Sequence, residues 1–392
     1  MERCLINRDL AKGVEKYLQI FPAVAVLGSR QCGKSTLIRM LAQNRQEFIF
    51  LDLQDRKDRQ KLEDPVLFFK NNENRIICLN EVQLMPDLFE YLRVEIDRLR
   101  RPGRFVLLGS ASRELLQQTS ETLAGRIGLL DLTPFLLPEI SSLADFDLLK
   151  YWYRGGYPDS YLAISDEASA LWRENFLRTY IERDIPQLGF QIAAPTMMRL
   201  LTLLAHEHGS MLNTAKLGNA MDLSAPTIRH YIDILEQTYI VRILPPHFRN
   251  IRKRLVKTPR LYFRDSGLLH QTLDIQDFNS LAGNPIYGFS WEGMVIENVC
   301  ASIKNAKFSF YRSANGSEEM DLLLEYTDKL IAIECKASTA PNLSDGFWRA
   351  IDTLQPQQTY VVCPIDESYA IRENVEIVGL GQLLEKLGKN EY

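Results

Sequence analysis

The sequence lacks the features that would place it in several special classes of protein. Its six cysteines are dispersed over 392 residues with no C-x-x-C pair, which argues against a disulfide framework or a zinc site. This use of cysteine fits a reducing cytoplasm. No uncharged apolar run reaches the roughly 18 residues that cross a bilayer. Charges also interrupt the N-terminal stretch MERCLINRDL, where a signal peptide would have its apolar core. We therefore expect a cytoplasmic protein with no membrane contact.

An excess of positive charge is also missing. The chain has 46 Lys and Arg residues against 50 Asp and Glu residues, so its net charge is −4. A globally basic nucleic-acid binder is unlikely to have this balance, although a local basic patch is compatible with it. Hydrophobic residues make up 46% of the chain and charged residues 24%, as in ordinary soluble domains. At about 150 residues per domain, the length predicts two to three domains.

The first 140 residues have the pattern of an α/β domain. Apolar runs at residues 23–28, 48–53, 75–79 and 105–108 alternate with amphipathic stretches. Such alternation is typical of repeated strand–helix units around a parallel sheet.

The first strand is followed by a phosphate-binding motif, G-x-x-x-x-G-K-S. Glycines at 28 and 33 let backbone N–H groups curl around phosphate oxygens. Lys34 is expected to reach the β and γ phosphates, and the Ser35 hydroxyl is expected to ligate Mg²⁺. The predicted nucleotide-binding residues of this segment are Gly28, Ser29, Arg30, Gln31, Cys32, Gly33, Lys34, Ser35 and Thr36.

A second strand ends in Asn80 and Glu81, where ATP hydrolysis would need an acidic metal partner and a base. Glu81 is the candidate that polarises the attacking water; the alternative is a surface charge at a strand end. Asn80 stands where an Asp is expected. An amide oxygen still accepts a hydrogen bond from metal-bound water but brings no charge, so slow turnover is expected.

Two further residues are candidates for contact with the phosphates. Ser110 follows the next strand and is a candidate sensor of the γ-phosphate, with ordinary turn chemistry as the alternative. Arg126 is a candidate for stabilising phosphoryl charge, either within its own chain or toward a neighbouring subunit. The alternative for Arg126 is a surface residue in an ion pair.

Several strings together resemble a widespread prokaryotic family of AAA-type P-loop ATPases with a C-terminal domain of unknown function. They are GSRQCGKSTL, NEVQ, LLGSAS, LAGRIGLLDLTPF, YRGGYPDS, YIERDIPQL, TPRLYFRDSGLL and WEGMVIENV. The resemblance spans nearly the whole chain. It implies an AAA core over residues 1–140, a helical lid over 141–192, ATP with Mg²⁺ as cofactors, and a homo-oligomer. The family usually has Asp-Glu where this chain has Asn80 and Glu81.

Residues 193–270 predict a winged helix-turn-helix. Helical patterns at 197–207, 213–221 and 227–238 precede strand patterns at 239–244 and 260–263. A long helix is also predicted before them, at 167–183, ending near Pro186. Thr227, Arg229 and His230 face outward on the third helix and are candidate DNA contacts.

The segment between the two wing strands is strongly basic and has no acidic residue. Phosphate contact with duplex DNA is one interpretation; a solvated face or a docking surface for acidic parts of the chain is the other. The basic residues from 249 to 264 are Arg249, Arg252, Lys253, Arg254, Lys257, Arg260 and Arg264.

Residues 285–392 have the α-β-β-β-α-β order of a restriction-endonuclease-like, PD-(D/E)XK core. Asp321 lies in one predicted strand and Glu334 with Lys336 in the next, on one face because side chains alternate along a strand. Two carboxylates suit Mg²⁺ or Mn²⁺, and the lysine is placed to orient or deprotonate water. A third metal ligand is expected from the preceding helix. The family resemblance favours Glu292, with Glu297 as the alternative.

Two functions remain open at this point. The first is an ATP-gated enzyme that binds DNA through the winged helix and cuts it with the C-terminal domain. The second is a nucleotide-dependent regulatory switch or scaffold with weak hydrolysis, because of Asn80, and a catalytically idle C-terminal domain.

Overall fold

The computed structural model describes residues 5–43, 45, 47–109, 123–247 and 257–388. The chain divides into two compact units. The first comprises Met1–Phe135 with Gln237–Tyr239, and the second comprises Leu136–Glu236 with Ile240–Tyr392. Within the described ranges, no helix is both long enough and apolar enough to cross a membrane.

The first unit is built around a parallel sheet. Its described strands are β1 (Ala23–Leu27), β2 (Phe48–Asp52), β3 (Ile76–Asn80), β4 (Phe105–Gly109) and β5 (Ile127–Asp131). They lie in the order β2-β3-β4-β1-β5, and each neighbouring pair runs parallel. Its described helices are α1 (Leu10–Leu18), α2 (Lys34–Ala42), α3 (Arg56–Gln60), α4 (Pro65–Asn71) and α5 (Leu88–Arg98). The predicted α/β class with a parallel sheet is confirmed for this unit.

The inner strand β1 is covered on both faces. Ala23, Ala25 and Leu27 belong to one core cluster, whereas Val24 and Val26 belong to the other. A strand buried on both faces is a continuous apolar run in sequence, which is why this segment was predictable. Because the strands are parallel, their carboxyl ends lie along one edge of the sheet, where ligands bind in such folds.

The second unit begins with short helices. They are α6 (Leu137–Ile140), α7 (Leu148–Arg154), α8 (Pro158–Tyr161), α9 (Asp166–Thr179) and α10 (Ile185–Gln187). A π-helical turn, Tyr180–Asp184, separates α9 from α10. The predicted helix over residues 167–183 is therefore helical throughout, but its last turn is π-helical and not α-helical. Pro186 has no N–H and its ring collides with the carbonyl of residue 182 in a regular helix, so the preceding turn widens.

Three helices and a two-stranded antiparallel sheet follow. They are α11 (Ala194–His206), α12 (Thr214–Met221), α13 (Ala225–Gln237), β6 (Val241–Leu244) and β7 (Arg260–Phe263). Ser224 caps α13, because its hydroxyl accepts a hydrogen bond from the Thr227 amide at 3.2 Å. These bounds agree with the predicted ones to within one helical turn. The assignment of this region to the winged-helix fold stays a prediction.

The remainder of the second unit contains a mixed sheet. Its described elements are α14 (Ser266–Thr272), α15 (Phe278–Ala282), α16 (Tyr287–Ser302), β8 (Lys307–Arg312), β9 (Glu319–Glu325), β10 (Leu330–Cys335), α17 (Asp345–Leu354), β11 (Gln358–Cys363), β12 (Ser368–Arg372), β13 (Val375–Gly379) and α18 (Leu380–Gly388). The strand order is β12-β13-β11-β10-β9-β8. β9 pairs antiparallel with β8 and β10, whereas β11 pairs parallel with β10 and β13. The hairpin of β9 and β10 carries the predicted acidic residues.

Candidate functional sites

The loop between β1 and α2 adopts backbone conformations with positive φ angles, which glycine allows. Gly28 has φ +155° and Gly33 has φ +102°, and Gln31 between them is also left-handed at φ +60°. A Cβ atom on Gly28 would lie 2.1 Å from the carbonyl oxygen of Leu132, so a larger residue does not fit there. Backbone that mixes right- and left-handed residues forms anion-binding concavities.

Lys34 is buried inside this loop. Its ammonium group donates to the carbonyl oxygens of Gly28 and Ser29 at 3.0 and 2.7 Å. An ammonium has three N–H donors, so one remains for a further acceptor. The Ser29 hydroxyl is also buried, and it has no hydrogen-bond partner among the described residues. The loop thus holds two donor groups at the place where the sequence predicts phosphate.

The predicted Mg²⁺ residues are connected by hydrogen bonds. The Ser35 hydroxyl donates to the Asn80 Oδ1 at 3.0 Å, and the Asn80 amide nitrogen donates to the Asp52 Oδ1 at 3.2 Å. Asp52 and Asn80 are the last residues of β2 and β3 and lie opposite each other in register. Sequence analysis missed Asp52. One hydroxyl, one amide oxygen and one carboxylate form a set of hard oxygen atoms that suits Mg²⁺.

Glu81 follows β3 in a strained conformation. Its φ of +56° is unusual for a residue with a Cβ atom, and its carboxylate accepts a hydrogen bond from the side-chain amide of Gln83. Strained residues of this kind are concentrated at functional sites. The strain and the position beside Asn80 fit the predicted role of a base, which stays a proposal.

The structure does not bring Arg126 to the loop. The residue after it, Ile127, pairs with the first residue of β1, whereas the loop begins after the last residue of β1. The Arg126 guanidinium instead forms two hydrogen bonds with Asp97, at 2.7 and 2.8 Å. The predicted contact with phosphates of the same chain is therefore corrected, because Arg126 lies at the opposite edge of the sheet. Ser110 lies outside the described residues.

A second candidate site is a cavity of about 650 Å³ in the second unit. Glu292 reaches it from α16, Asp321 from β9, and Glu334 and Lys336 from the end of β10. The Lys336 ammonium lies 2.7 Å from Glu334 Oε1, and Asp321 Oδ2 accepts a hydrogen bond from the Cys335 amide at 2.9 Å. The other oxygen of Glu334, Oε2, is buried and has no hydrogen-bond partner among the described residues.

Arg260, from β7, lies among these carboxylates. Its Nη1 is 3.1 Å from Glu292 Oε1 and 3.4 Å from Asp321 Oδ1, and its Nη2 contacts Glu319. The Tyr262 hydroxyl donates to Glu292 Oε1 at 2.6 Å. Arg260 and Tyr262 are two positions apart on one strand and therefore share a face. From the sequence, Arg260 was interpreted as part of a basic segment that contacts DNA phosphates, with a solvated face or a docking surface for acidic parts of the chain as the alternative. Tyr262 was not considered.

Burial disfavours ionisation of the two glutamates. Loss of solvent, followed by the nearby charge of Asp321, raises the pKa of both Glu292 and Glu334 to about 8. Within the described ranges, no group of three or more His, Cys, Asp or Glu side chains is arranged to hold a metal ion. The predicted metal ligands Asp321, Glu334 and Glu292 line one cavity, but their side chains do not converge on a single point.

Glu297, the alternative to Glu292, is not in this cavity. Its Oε2 accepts from Arg242 at 2.7 Å and its Oε1 accepts from Arg264 at 2.8 Å. These two guanidinium groups lower the pKa of Glu297 against the opposing effect of burial. Arg260 and Arg264 both bind buried carboxylates, so these two basic residues do not belong to a solvated face.

Two of the predicted DNA-contacting residues on α13 form side-chain hydrogen bonds within the helix or with its N-cap residue. Arg229 donates to Asp233 at 2.7 Å, and the Thr227 hydroxyl bonds to Ser224 at 2.7 Å. His230 and Lys257 are exposed. Arg249, Arg252, Lys253 and Arg254 lie outside the described residues.

Family comparison assigns three regions of the chain. Residues 21–141 match an AAA domain. Residues 145–279 and 287–383 match two domains of unknown function, DUF8612 and DUF4143. Together with the parallel sheet and the glycine-lysine-serine loop, the first match identifies an AAA-type P-loop ATPase domain.

The whole chain also has close relatives. It is 38% identical over 379 residues to uncharacterized protein Rv2008c of Mycobacterium tuberculosis and to uncharacterized protein Mb2031c of Mycobacterium bovis, covering 96% of this chain and 84% of each relative. The chain belongs to the same family as these two proteins. Among solved structures, the Walker-type ATPase paby2304 of Pyrococcus abyssi is 14% identical, with a TM-score of 0.48 over 69% of this chain and 97% of that one. A likeness of this size supports no functional conclusion.

Proposed function

We propose that the chain is a nucleotide-dependent switch that binds ATP with Mg²⁺ on the loop from Gly28 to Thr36 and hydrolyses it slowly. The observation that carries the proposal is the buried ammonium of Lys34, held by two carbonyl oxygens of its own loop. The helix α2 begins at Lys34, so its positive end adds to the attraction for phosphate.

The side chains around the loop have separate roles in this proposal. Ser35, Asn80 and Asp52 would hold the Mg²⁺, which supplies charge that offsets the phosphates. Glu81 orients the attacking water and accepts its proton. Asn80 is uncharged, which predicts slow turnover. Arg126 lies away from the phosphate-binding loop of its own chain and is proposed to act toward a neighbouring subunit of a homo-oligomer in the cytoplasm.

Calorimetry with a slowly hydrolysed ATP analogue tests nucleotide binding. Wild-type protein and Lys12→Ala should release binding heat, whereas Lys34→Ala should release none. Lys12 is an exposed lysine of α1 in the same unit and serves as the matched control. Equal heat from wild-type and Lys34→Ala protein would refute the proposal. Turnover is tested with Asn80→Asp, which should hydrolyse ATP faster than wild type.

A second candidate function is metal-dependent cleavage of DNA by the C-terminal region. It is favoured by the presence of Glu292, Asp321, Glu334 and Lys336 in one cavity. Mg²⁺ or Mn²⁺ bound there would activate water beside Lys336. The proposed DNA contacts are Thr227, Arg229, His230, Arg249, Arg252, Lys253, Arg254 and Lys257.

Incubation with supercoiled plasmid and Mn²⁺ tests this second function. Wild-type protein and Asp328→Ala should nick the plasmid, and Asp321→Ala should not. Asp328 is an exposed carboxylate in the turn between β9 and β10, so it controls for a general loss of acidic charge. Equal nicking by wild-type and Asp321→Ala protein would discard the cleavage proposal.

A further inference from the structure

We propose that Arg260 is the resident cation of the acidic cavity, and that its guanidinium group and a divalent metal ion compete for the same carboxylates. While the guanidinium group of Arg260 contacts these carboxylates, it prevents a metal ion from binding to them. The inference rests on the second proposed function only for the identity of the metal-ligating residues. It requires neither ATP binding nor DNA cleavage.

The guanidinium group of Arg260 contacts two of the predicted metal ligands. Its Nη1 is within 3.4 Å of an oxygen of both Glu292 and Asp321, two of the three predicted metal ligands. The side chain is only 4% exposed, and its guanidinium lies 4.8 Å from the centre of the Phe310 ring. A guanidinium offers several N–H donors in one plane, so one arginine satisfies carboxylates from α16 and β9 together. The oxygens that face Arg260 are therefore not free to approach a metal ion.

One carboxylate oxygen of Glu334 lacks a hydrogen-bond partner among the described residues. Its Oε1 is bonded to Lys336, but its Oε2 is buried in the cavity wall without a hydrogen-bond partner among the described residues. An unpaired buried acceptor is costly, and such an atom signals a missing donor or cation. Arg260 contacts Glu292, Asp321 and Glu319 but does not satisfy this oxygen. A metal ion bound by Glu292, Asp321 and Glu334 would satisfy it.

The cavity already holds positive charge. Three cationic side chains face its acidic residues, namely Arg260, Arg312 and Lys336. A divalent ion beside Glu292 and Asp321 would lie within a few ångströms of the Arg260 guanidinium, and like charges at that distance repel strongly in a buried site. Metal and arginine are therefore alternative occupants, and binding of the metal requires Arg260 to leave.

Titration with Mn²⁺, read by the loss of the free-ion electron paramagnetic resonance signal, tests this competition. Nucleotide is omitted, and every protein carries Ser35→Ala so that the phosphate loop lacks its metal-facing hydroxyl. Arg260→Gln should bind one Mn²⁺ at least about tenfold more tightly than the protein that retains Arg260. The double variant Arg260→Gln with Glu292→Gln should lose that gain. Arg312→Gln is the matched control: Arg312 lines the cavity but pairs with Glu319, so its removal should leave Mn²⁺ affinity near the wild-type value.

A second variant keeps Arg260 and does not depend on how well Arg260→Gln folds. Glu319→Gln removes one anchor of Arg260 and also one negative charge of the cavity. Simple electrostatics predicts weaker binding of Mn²⁺ after this change, whereas competition predicts tighter binding, because the arginine is released more easily. Tighter binding supports the proposal. Weaker or unchanged binding by Glu319→Gln overturns it, as does an Arg260→Gln protein that folds but binds Mn²⁺ no better than wild type. Because no DNA is present, a failure to cleave DNA leaves this result unaffected.

Discussion

Asn80 and Asp52 lie side by side at the carboxyl ends of neighbouring parallel strands, with the Asn80 amide nitrogen 3.2 Å from the Asp52 carboxylate. The negative charge that Asn80 lacks is therefore present one strand away. This pairing gives a physical reason for Mg²⁺ to bind at a phosphate loop whose strand-end residue is an amide.

Asp52→Asn should weaken the Mg²⁺ dependence of nucleotide binding. The change removes the charge but keeps the shape, so the Mg²⁺ concentration for half-maximal binding of an ATP analogue should rise about tenfold, equivalent to ~1.4 kcal/mol. Calorimetry over a series of Mg²⁺ concentrations measures it. The swapped variant Asp52→Asn with Asn80→Asp restores the charge and should recover most of the loss. A swapped variant as weak as Asp52→Asn would contradict a shared role for the two positions.

Glu81→Gln should separate hydrolysis from binding. The amide keeps the volume and the contact with Gln83 but cannot accept a proton from water, and loss of a general base typically costs 10² to 10⁴ in rate. We expect kcat to fall about 100-fold or more while the affinity for an ATP analogue stays within about twofold. Single-turnover phosphate release measures the rate. An unchanged kcat would show that Glu81 is only a strand-end surface charge.

The sequence predicted the features that depend on local pattern. The buried run of β1 and the glycine-lysine-serine motif after it are contiguous, and the strand period places Glu334 and Lys336 on one face. Asp52 and Arg260 were missed because their partners are distant in sequence: Asp52 is 28 residues from Asn80, and Arg260 is 61 residues from Asp321.

The sequence next to Arg260 was also misleading. Arg260 adjoins a segment that is rich in basic residues and has no acidic residue, so its charge was assigned to that segment. One signal was available: Arg260 and Tyr262 share a face of an otherwise apolar strand, where a charged residue is seldom buried without a partner. That signal predicts a buried carboxylate opposite β7, but not which one.

Glu297→Gln should destabilise the second unit by about 3 kcal/mol, because removal of one partner leaves two guanidinium groups largely buried without a counter-charge. All four tryptophans of the chain are in this unit, so their fluorescence during urea unfolding reports on it alone. Glu182→Gln is the control. Glu182 forms an exposed pair with Arg178, and its loss should cost only about 0.3 kcal/mol. Equal effects of the two substitutions would contradict this interpretation.

Two histidines of the second unit are held neutral. His208 Nδ1 accepts from the Phe263 amide at 3.0 Å, so its Nε2 carries the proton and donates to the Phe289 carbonyl at 3.0 Å. His270 Nδ1 donates to the Tyr153 carbonyl, and its Nε2 accepts from Ser290 at 2.7 Å. Burial lowers the pKa of His208 to about 4 and that of His270 to about 3.

These pKa values predict that the two histidines contribute acid lability to the second unit, whereas the raised pKa values of Glu292 and Glu334 act in the opposite direction. In the unfolded chain both histidines bind protons below about pH 6.5, whereas the folded chain binds them only near pH 4 and 3. The contribution of the two histidines to the free energy of unfolding should therefore fall as pH drops below 6.5, by up to ~1.4 kcal/mol per histidine per pH unit. Asp265 opposes this trend, because burial raises its pKa to about 6 even though Arg173 acts to lower it. Between about pH 6 and 4 the folded state holds one proton there that the unfolded state has released.

Substitution of His208 and substitution of Asp265 should change the pH dependence of the free energy of unfolding in opposite directions. His208→Asn keeps an acceptor for the Phe263 amide but cannot be protonated, so the slope of unfolding free energy against pH between 6.5 and 4.5 should decrease by about one proton. Asp265→Asn removes one opposing group and should increase the same slope by up to about one proton. Urea unfolding followed by tryptophan fluorescence across this pH range gives each slope directly. If His208→Asn keeps the wild-type slope, then His208 is already charged in the folded protein and the hydrogen-bond assignment at its Nδ1 is wrong.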